Sequence, residues 1–391
     1  MNEFMDGKKQ KTSYEAYDLS GKGEAQATKH GGQKSPMAPH EKTTKEKVVL
    51  EKILERKNLR LALKRVKENK GAPGVDGMTV DELVAYLKDS WPDIKEKILK
   101  GTYRPAPVRR VDIPKSGGGV RGLGIPTALD RFIQQAILQV LTPIFEPTFS
   151  NQSFGFRPAR SAHQAVESAR GYIEEGFEYV VDIDIEKFFD KVNHDRLMAK
   201  LARVVGDKTL LKLIRRYLQA GIMANGVVIE RYEGTPQGGP LSPLLANIYL
   251  TELDQELQER GHRFVRYADD CNIYLKSERA FTRVFSSIER FLKEKLKLKV
   301  NGAKSYIGEA RGIEFLGFSF YGFNPTKIAV SRKSLKRAKS RIRKLTRRSE
   351  GISLSQMLTR LNQFLTGWGV YFSLASHPTY SKNWIAGFVE G

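Results

Sequence analysis

The stretch Tyr179-Val180-Val181-Asp182-Ile183-Asp184-Ile185 has the β-branched and aromatic composition of a strand, yet it carries two acids. Side chains alternate along a strand, so Val181, Ile183 and Ile185 share one face while Val180, Asp182 and Asp184 share the other. A second apolar stretch, Arg263 to Leu275, is interrupted by Ala268-Asp269-Asp270, which suits a hairpin tip buried on at least one side. Taken singly, Asp269-Asp270 makes a turn and Asp182 caps a strand end. Taken together, acids set into two apolar strands call for a common cause. Clustered carboxylates repel unless protonated or bridged by cations, so the pattern points to hard metal ions with oxygen ligands, Mg2+ being the natural candidate.

Composition narrows the alternatives. A single cysteine, Cys271, excludes an intramolecular disulfide framework and a cysteine-based zinc site, and six scattered histidines lack paired ligand spacing. The formal charge of +22 at pH 7 favours a polyanionic partner, nucleic acid or an anionic membrane surface. No run approaches the ~18 apolar residues of a spanning helix, and the first residues lack the apolar core of a signal peptide. A soluble protein of the cytoplasm, at the nucleoid or in a ribonucleoprotein, is expected. Two Mg2+ ions about 3.5–4 Å apart would activate a 3′-hydroxyl and steady a leaving pyrophosphate, chemistry for which a basic surface supplies the nucleic acid.

Along the chain, residues 1–44 have the composition of a disordered leader. Helical periodicity from Val48 to Val66 breaks at a Gly- and Pro-loaded loop, Asn69 to Gly77. A helix over Val80 to Leu99 precedes two extended pieces, Val108 to Pro114 and Gly122 to Pro126, around a glycine-rich tip. Helix spacing returns at Leu129 to Leu141, at His194 to Leu201 and from Leu241 to Leu250. Beyond the second acidic cluster come a helix through Lys297 and strands near Ile313 to Phe320. This is an α+β pattern, a palm-like sheet backed by helices. From Ser331 ten cations interrupt a stripe of Leu335, Ala338, Ile342 and Leu345, predicting a separate basic helical module.

With their surroundings, these segments resemble the reverse transcriptases of bacterial group II introns, most closely the compact kind without an endonuclease domain. The resemblance spans roughly residues 48 to 380 and rests on seven motifs in order. They are Asn69 to Gly77; Ile113-Pro114-Lys115 with Arg121 and Gly124-Ile125-Pro126; Ser153 to Pro158; Asp184 to Asp190; Thr235 to Pro243; Tyr267 to Asp270; and Phe315 to Phe318. The resemblance implies a right-hand polymerase fold, fingers and palm with an antiparallel sheet, plus a helical thumb. In it, residues 45–100 are an N-terminal extension whose loop grips template, 101–328 fingers and palm, and 329–391 a thumb or maturase-like region that looks truncated. Asp184 and Asp269 match metal-binding aspartates, with Asp270 beside them and the Ile185 carbonyl as a further ligand; Asp182 is not among the family's ligands. Phe189 matches the bulky ring that crowds the sugar 2′ position and so favours dNTPs. Lys115 and Arg121 match residues that grip the triphosphate. Gln237 matches a contact near the nascent base pair, and Lys304 a palm lysine. The basic helix and the following Leu354 to Tyr371 match the thumb, where cations facing outward follow phosphates.

Family members continue past the position of Trp384 into an arginine-rich segment, and many add DNA-binding and endonuclease parts. Here Asn383 to Gly391 closes the sequence, which puts intron-RNA grip and splicing assistance in doubt. The expected activity is primer extension on an RNA template with dNTPs, with group II intron RNA as a further partner and a possible part in intron mobility. The competing reading is an RNA-binding maturase in which the polymerase site is incidental, or a relative recruited to phage defence or repair. A packaging protein leaves the ordered acids unexplained, and a metal-dependent nuclease would need neither Phe189 nor Lys115 and Arg121.

Overall fold

The computed structural model describes residues 50–114, 120–224, 226–323, 325–347 and 351–376; the leader, Lys115 and the segment holding Trp384 lie outside them. Its elements run in chain order as follows. First come α1 (Leu50–Ile53), α2 (Arg56–Glu68), α3 (Glu82–Leu99), β1 (Val108–Pro114), β2 (Val120–Ile125), α4 (Ala128–Phe145) and α5 (Ala162–Glu174). Then come β3 (Tyr179–Ile183), α6 (Phe188–Lys191), α7 (His194–Val204), α8 (Lys208–Gln219), β4 (Ile222–Ala224), β5 (Val227–Ile229) and α9 (Ser242–Glu259). The rest are β6 (Arg263–Tyr267), β7 (Asp270–Leu275), α10 (Phe281–Glu294), β8 (Tyr306–Glu309), β9 (Glu314–Phe315), β10 (Phe318–Tyr321), β11 (Lys327–Val330), α11 (Arg332–Leu345) and α12 (Leu354–Tyr371).

These elements form two compact units, and neither is a contiguous stretch of sequence. The first takes the described residues up to Phe149, with Phe156–Ala159 and Lys187–Thr251; the second takes Ser150–Gly155, Arg160–Glu186 and those from Glu252 onward. The units are discontinuous because strands paired in one sheet come from distant parts of the chain.

The first unit is built on α4, where Phe132, Ile133, Ala136, Ile137 and Leu141 are buried together with the polar Asp130, Gln134 and Gln135. Its start is fixed by Thr127, which accepts from the Asp130 N–H. Asp130 in turn accepts from the Tyr103 hydroxyl at 2.7 Å, the Thr127 hydroxyl at 2.8 Å and the Ala106 N–H at 3.1 Å. The α2 helix lies along α4, where Asn58 donates to the Ala136 carbonyl at 3.0 Å. The sheet of this unit has the order β2-β1-β4-β5, antiparallel except for the β1–β4 pairing.

The second unit holds an antiparallel sheet of order β6-β7-β3-β8 and a smaller one of order β11-β10-β9. The α5 helix, opened by a Ser161–Gln164 capping box, lays Ala165, Val166, Ala169 and Ile173 against Val180, Val265 and Tyr274. Phe315, Phe318 and Phe320 complete that core. The basic module is part of this unit rather than apart from it. Tyr371 of α12 stands 5.6 Å from the Phe318 ring and donates its hydroxyl to the Leu316 carbonyl at 2.8 Å. Burying aromatic area on a shared core is what makes the segments one body. Among the described residues no helix is long and apolar enough to cross a membrane.

Candidate active site

The acids are gathered by strand register. In the β3–β7 ladder Asp182 stands opposite Asn272 and Ile183 opposite Cys271, so one step further the same register sets Asp184 against Asp270. Residues directly opposed share a face, which puts Asp182, Asp184 and Asp270 together while Ile183 and Cys271 fill the buried side. Asp270 already belongs to β7 and pairs with Tyr267, leaving Ala268-Asp269 as a two-residue turn. The strand expected to run through Ile185 ends its ladder at Ile183. Beyond it, the Asn301 N–H donates to the Asp184 carbonyl at 2.8 Å, and the Asp184 N–H donates to the Ser305 hydroxyl at 3.2 Å. Ile185 forms a lone antiparallel bridge with Val300 and is buried. Lys304, which donates its N–H to the Asn301 carbonyl, is exposed within the loop that wraps Asp184.

The electrostatics follow from this crowding. Burial, and then the charges of Asp269, Asp182 and Asp184, push the Asp270 carboxyl up to about 7. Asp270 keeps an exposed edge, so water moderates the first cause, and the mutual repulsion is the part a cation would relieve. Burial and then Asp184 hold Asp182 up at about 6, with Lys333 of α11 pulling the other way. Among the described residues no group of three or more His, Cys, Asp or Glu side chains is arranged to hold a metal by itself. Mg2+ keeps several waters and is ordinarily held by one or two carboxylates together with substrate phosphates, so an all-oxygen donor set under mutual repulsion fits it without a complete protein cage.

A different set of expected residues is brought together within the first unit. Phe189 is 6% exposed, with its ring edge-on to Phe188 at 5.2 Å between centroids. Its carbonyl accepts from the Thr235 N–H at 2.6 Å, tying α6 to the turn that carries Gln237. The Gln237 carbonyl accepts from the Gly124 N–H at 2.8 Å, tying that turn to β2. Gly238, at φ +124°, has the Gly124 carbonyl 2.7 Å from where a Cβ would stand, so only glycine allows the approach. Arg121 lies on β2 opposite Ile113, and its side chain, like all of Lys115, is outside the described residues. The Asn69 to Gly77 loop closes on the start of α4: a Cβ on Gly74 would stand 2.6 Å from the Thr127 Cα.

The profile of the reverse transcriptase (RNA-dependent DNA polymerase) family matches residues 113–320, just over half of the chain, and takes in all of these acids. The chain belongs to the reverse transcriptase family. A second profile, the group II intron maturase-specific domain, matches residues 335–385, reaching into the C-terminal stretch on which the doubt about splicing rested. This reverse transcriptase is 34% identical to protein YkfC of Escherichia coli (strain K12) over 64% of this chain and 76% of that one. It is 38% identical to the group II intron-encoded protein LtrA of Lactococcus lactis subsp. cremoris over 53% of this chain, and spans about a third, 34%, of the length of LtrA. Among solved structures it is similar to telomerase from Candida albicans, with a TM-score of 0.45 and 14% identity, covering 72% of this chain and 57% of that one.

RNA-directed DNA polymerases are nucleotidyltransferases, and reverse transcriptases generally use divalent metals. In this one, sequence reasoning passed over Asn301 and Ser305, which bind the Asp184 backbone from a loop far along the chain. The pairing of β3 with β8 and the Ile185–Val300 bridge bring that loop alongside. Arg266 was also missed: its position between Val265 and Tyr267 in an apolar strand was the available signal, because a cation there must be buried and paired.

Proposed function

We propose that this chain extends a primer along an RNA template with dNTPs, aided by two Mg2+ ions at Asp184, Asp269 and Asp270, with the Ile185 carbonyl as a further ligand. The observation that carries the reading is the β3–β7 register, which pairs Asp182 with Asn272 and Ile183 with Cys271 and, continued one step, brings Asp184 to Asp270. The ions, when bound, would lower the cost of ionising the primer 3′-hydroxyl and of charge building on the pyrophosphate. The chain's own part is to hold the carboxylates in place. Asn301 and Ser305 anchor Asp184 through its main chain, so its side chain is free to turn to a ligand. Phe189 would screen the sugar 2′ position, held to the Gln237 turn through Thr235. Lys115 and Arg121 would receive the triphosphate, Gln237 the nascent pair and Lys304 the palm side of the nucleotide. In this reading residues 45–100 form a template-gripping extension, 101–328 fingers and palm, and 329–391 the thumb.

A second role, in binding and splicing group II intron RNA, is supported by α11. Its apolar stripe, Ala338, Ile342 and Leu345, is buried, leaving cations such as Lys336, Arg343 and Lys344 exposed. Two others are partly engaged, since Arg337 and Lys333 reach Glu314 at 2.9 Å and 3.7 Å. The deciding experiment is primer extension on a heteropolymeric RNA template with dNTPs and Mg2+, beside the Asp269→Ala protein and an RNA-binding assay. Full-length cDNA from the wild type alone supports the polymerase; tight binding with no extension by either protein overturns it in favour of the maturase.

A further inference from the structure

The turn that carries Asp269 is braced from inside the second unit. Arg266 of β6 is wholly buried, as is its partner Asp254 of α9. Two parallel hydrogen bonds join them, Nε to Oδ1 and Nη2 to Oδ2, each 2.6 Å. The third arm, Nη1, donates to the Ala268 carbonyl at 2.7 Å. The main chain of Arg266 is held as well, its N–H donating to the Gln152 carbonyl and its carbonyl accepting from the Phe154 N–H, both at 2.9 Å. Ala268 sits at φ +59°, a left-handed conformation that a residue with a side chain rarely adopts. On its other side Gly155 lies so close that a Cβ there would stand 2.3 Å from the Ala268 nitrogen.

A strained turn persists only where its surroundings over-determine it. A charge pair is a costly way to fill a core, since apolar residues of similar size would serve stability as well. Burial works against the guanidinium charge, and Asp254, through its charge and hydrogen bonding, together with lesser contributions from Cys271 and Asp269, more than offsets it. What an apolar pair could not do is reach forward to the Ala268 carbonyl. Asp254 occupies the other two arms, and the nearby Asp269 adds a further favourable charge interaction.

We propose that Arg266, oriented by Asp254, is a positioning residue: it fixes Ala268 in its left-handed conformation and so aims the Asp269 and Asp270 carboxylates. The kinetic part of this inference rests on the polymerase reading; the structural part does not.

The test compares three variants with the wild type. Arg266→Lys keeps the charge and cannot span both Asp254 oxygens and the carbonyl. Gly155→Ala alters no charge and presses on the Ala268 amide. The double change Arg266→Met with Asp254→Leu keeps packing volume and removes the brace. Each is measured by thermal unfolding, by hydrogen exchange of a peptide covering residues 264–271, and by primer extension normalised to titrated active sites. We expect the folded variants to lose about a hundred-fold in kcat, the scale of an ångström's misplacement, with KM for primer–template within about two-fold of wild type. Exchange in 264–271 should quicken while that of β10 does not. Wild-type kcat in the folded double variant, or acceleration of exchange uniformly across the unit, would overturn the assignment and leave the pair a matter of stability. If the wild type itself extends nothing, the polymerase reading fails, and the exchange comparison still decides whether the brace holds the turn.

Discussion

Asp184 donates its backbone N–H to the hydroxyl of Ser305, 3.2 Å away, so the first of the proposed metal-binding aspartates is anchored by a side chain from the loop before β8. Ser305→Ala deletes that acceptor and leaves a half-buried N–H seeking water. A hydrogen bond of this kind is worth about 1 kcal/mol, so the melting temperature should drop by a few degrees at most. Extension should slow several-fold, read as kcat at saturating dNTP; unchanged kcat would mean that the loop serves folding alone.

Asp184→Ala and Asp269→Ala should each abolish extension while RNA affinity in a filter-binding assay stays near that of the wild type. Neither residue supports the core, so folding should survive, checked by circular dichroism. Retained extension in either variant refutes the metal assignment.

Phe189→Ala should admit ribonucleotides, measured as the ratio of kcat/KM for rNTP to that for dNTP. The ring is nearly buried against Phe188, so the substitution should also cost about 3–5 kcal/mol of stability. The two effects separate by assaying at a temperature where the variant remains folded. Discrimination unchanged in the folded variant would make Phe189 a core residue only.

Asp130 offers a pH test away from the active site. Its burial raises the carboxyl above the usual range despite the donors around it. A carboxyl raised in the folded state holds its proton there more tightly than in the unfolded chain. Stability therefore falls as pH rises from the ordinary carboxylate range through the raised folded value. Asp130→Asn removes the titration, so the wild type should gain on this variant as pH is lowered from 7 toward 4. Parallel unfolding curves across that range would contradict the burial argument.

Lys336→Ala and Arg343→Ala, on the exposed side of α11, should weaken RNA binding without regard to sequence. If each contacts one phosphate, the slope of log affinity against log salt should lessen by about 1 per variant. An unaltered slope would mean that these cations only solvate the helix.

Much of this molecule was legible residue by residue. Alternation of side chains in 179–185 put Asp182 and Asp184 on one face before any partner strand was known, because the period of a strand is a property of its own backbone. The stretch Leu354 to Tyr371, matched to the thumb through the resemblance, is the helix α12. What local pattern could not supply was pairing. The exchange of Asp184's backbone bonds from β7 to Asn301 and Ser305, and the forked contact of Arg266 with Asp254 and Ala268, join residues with no local relation. Residue types and the faces they take can be read along each segment alone; which of them meet depends on the fold, because register between distant strands is set by the burial of the whole sheet and not by any one segment.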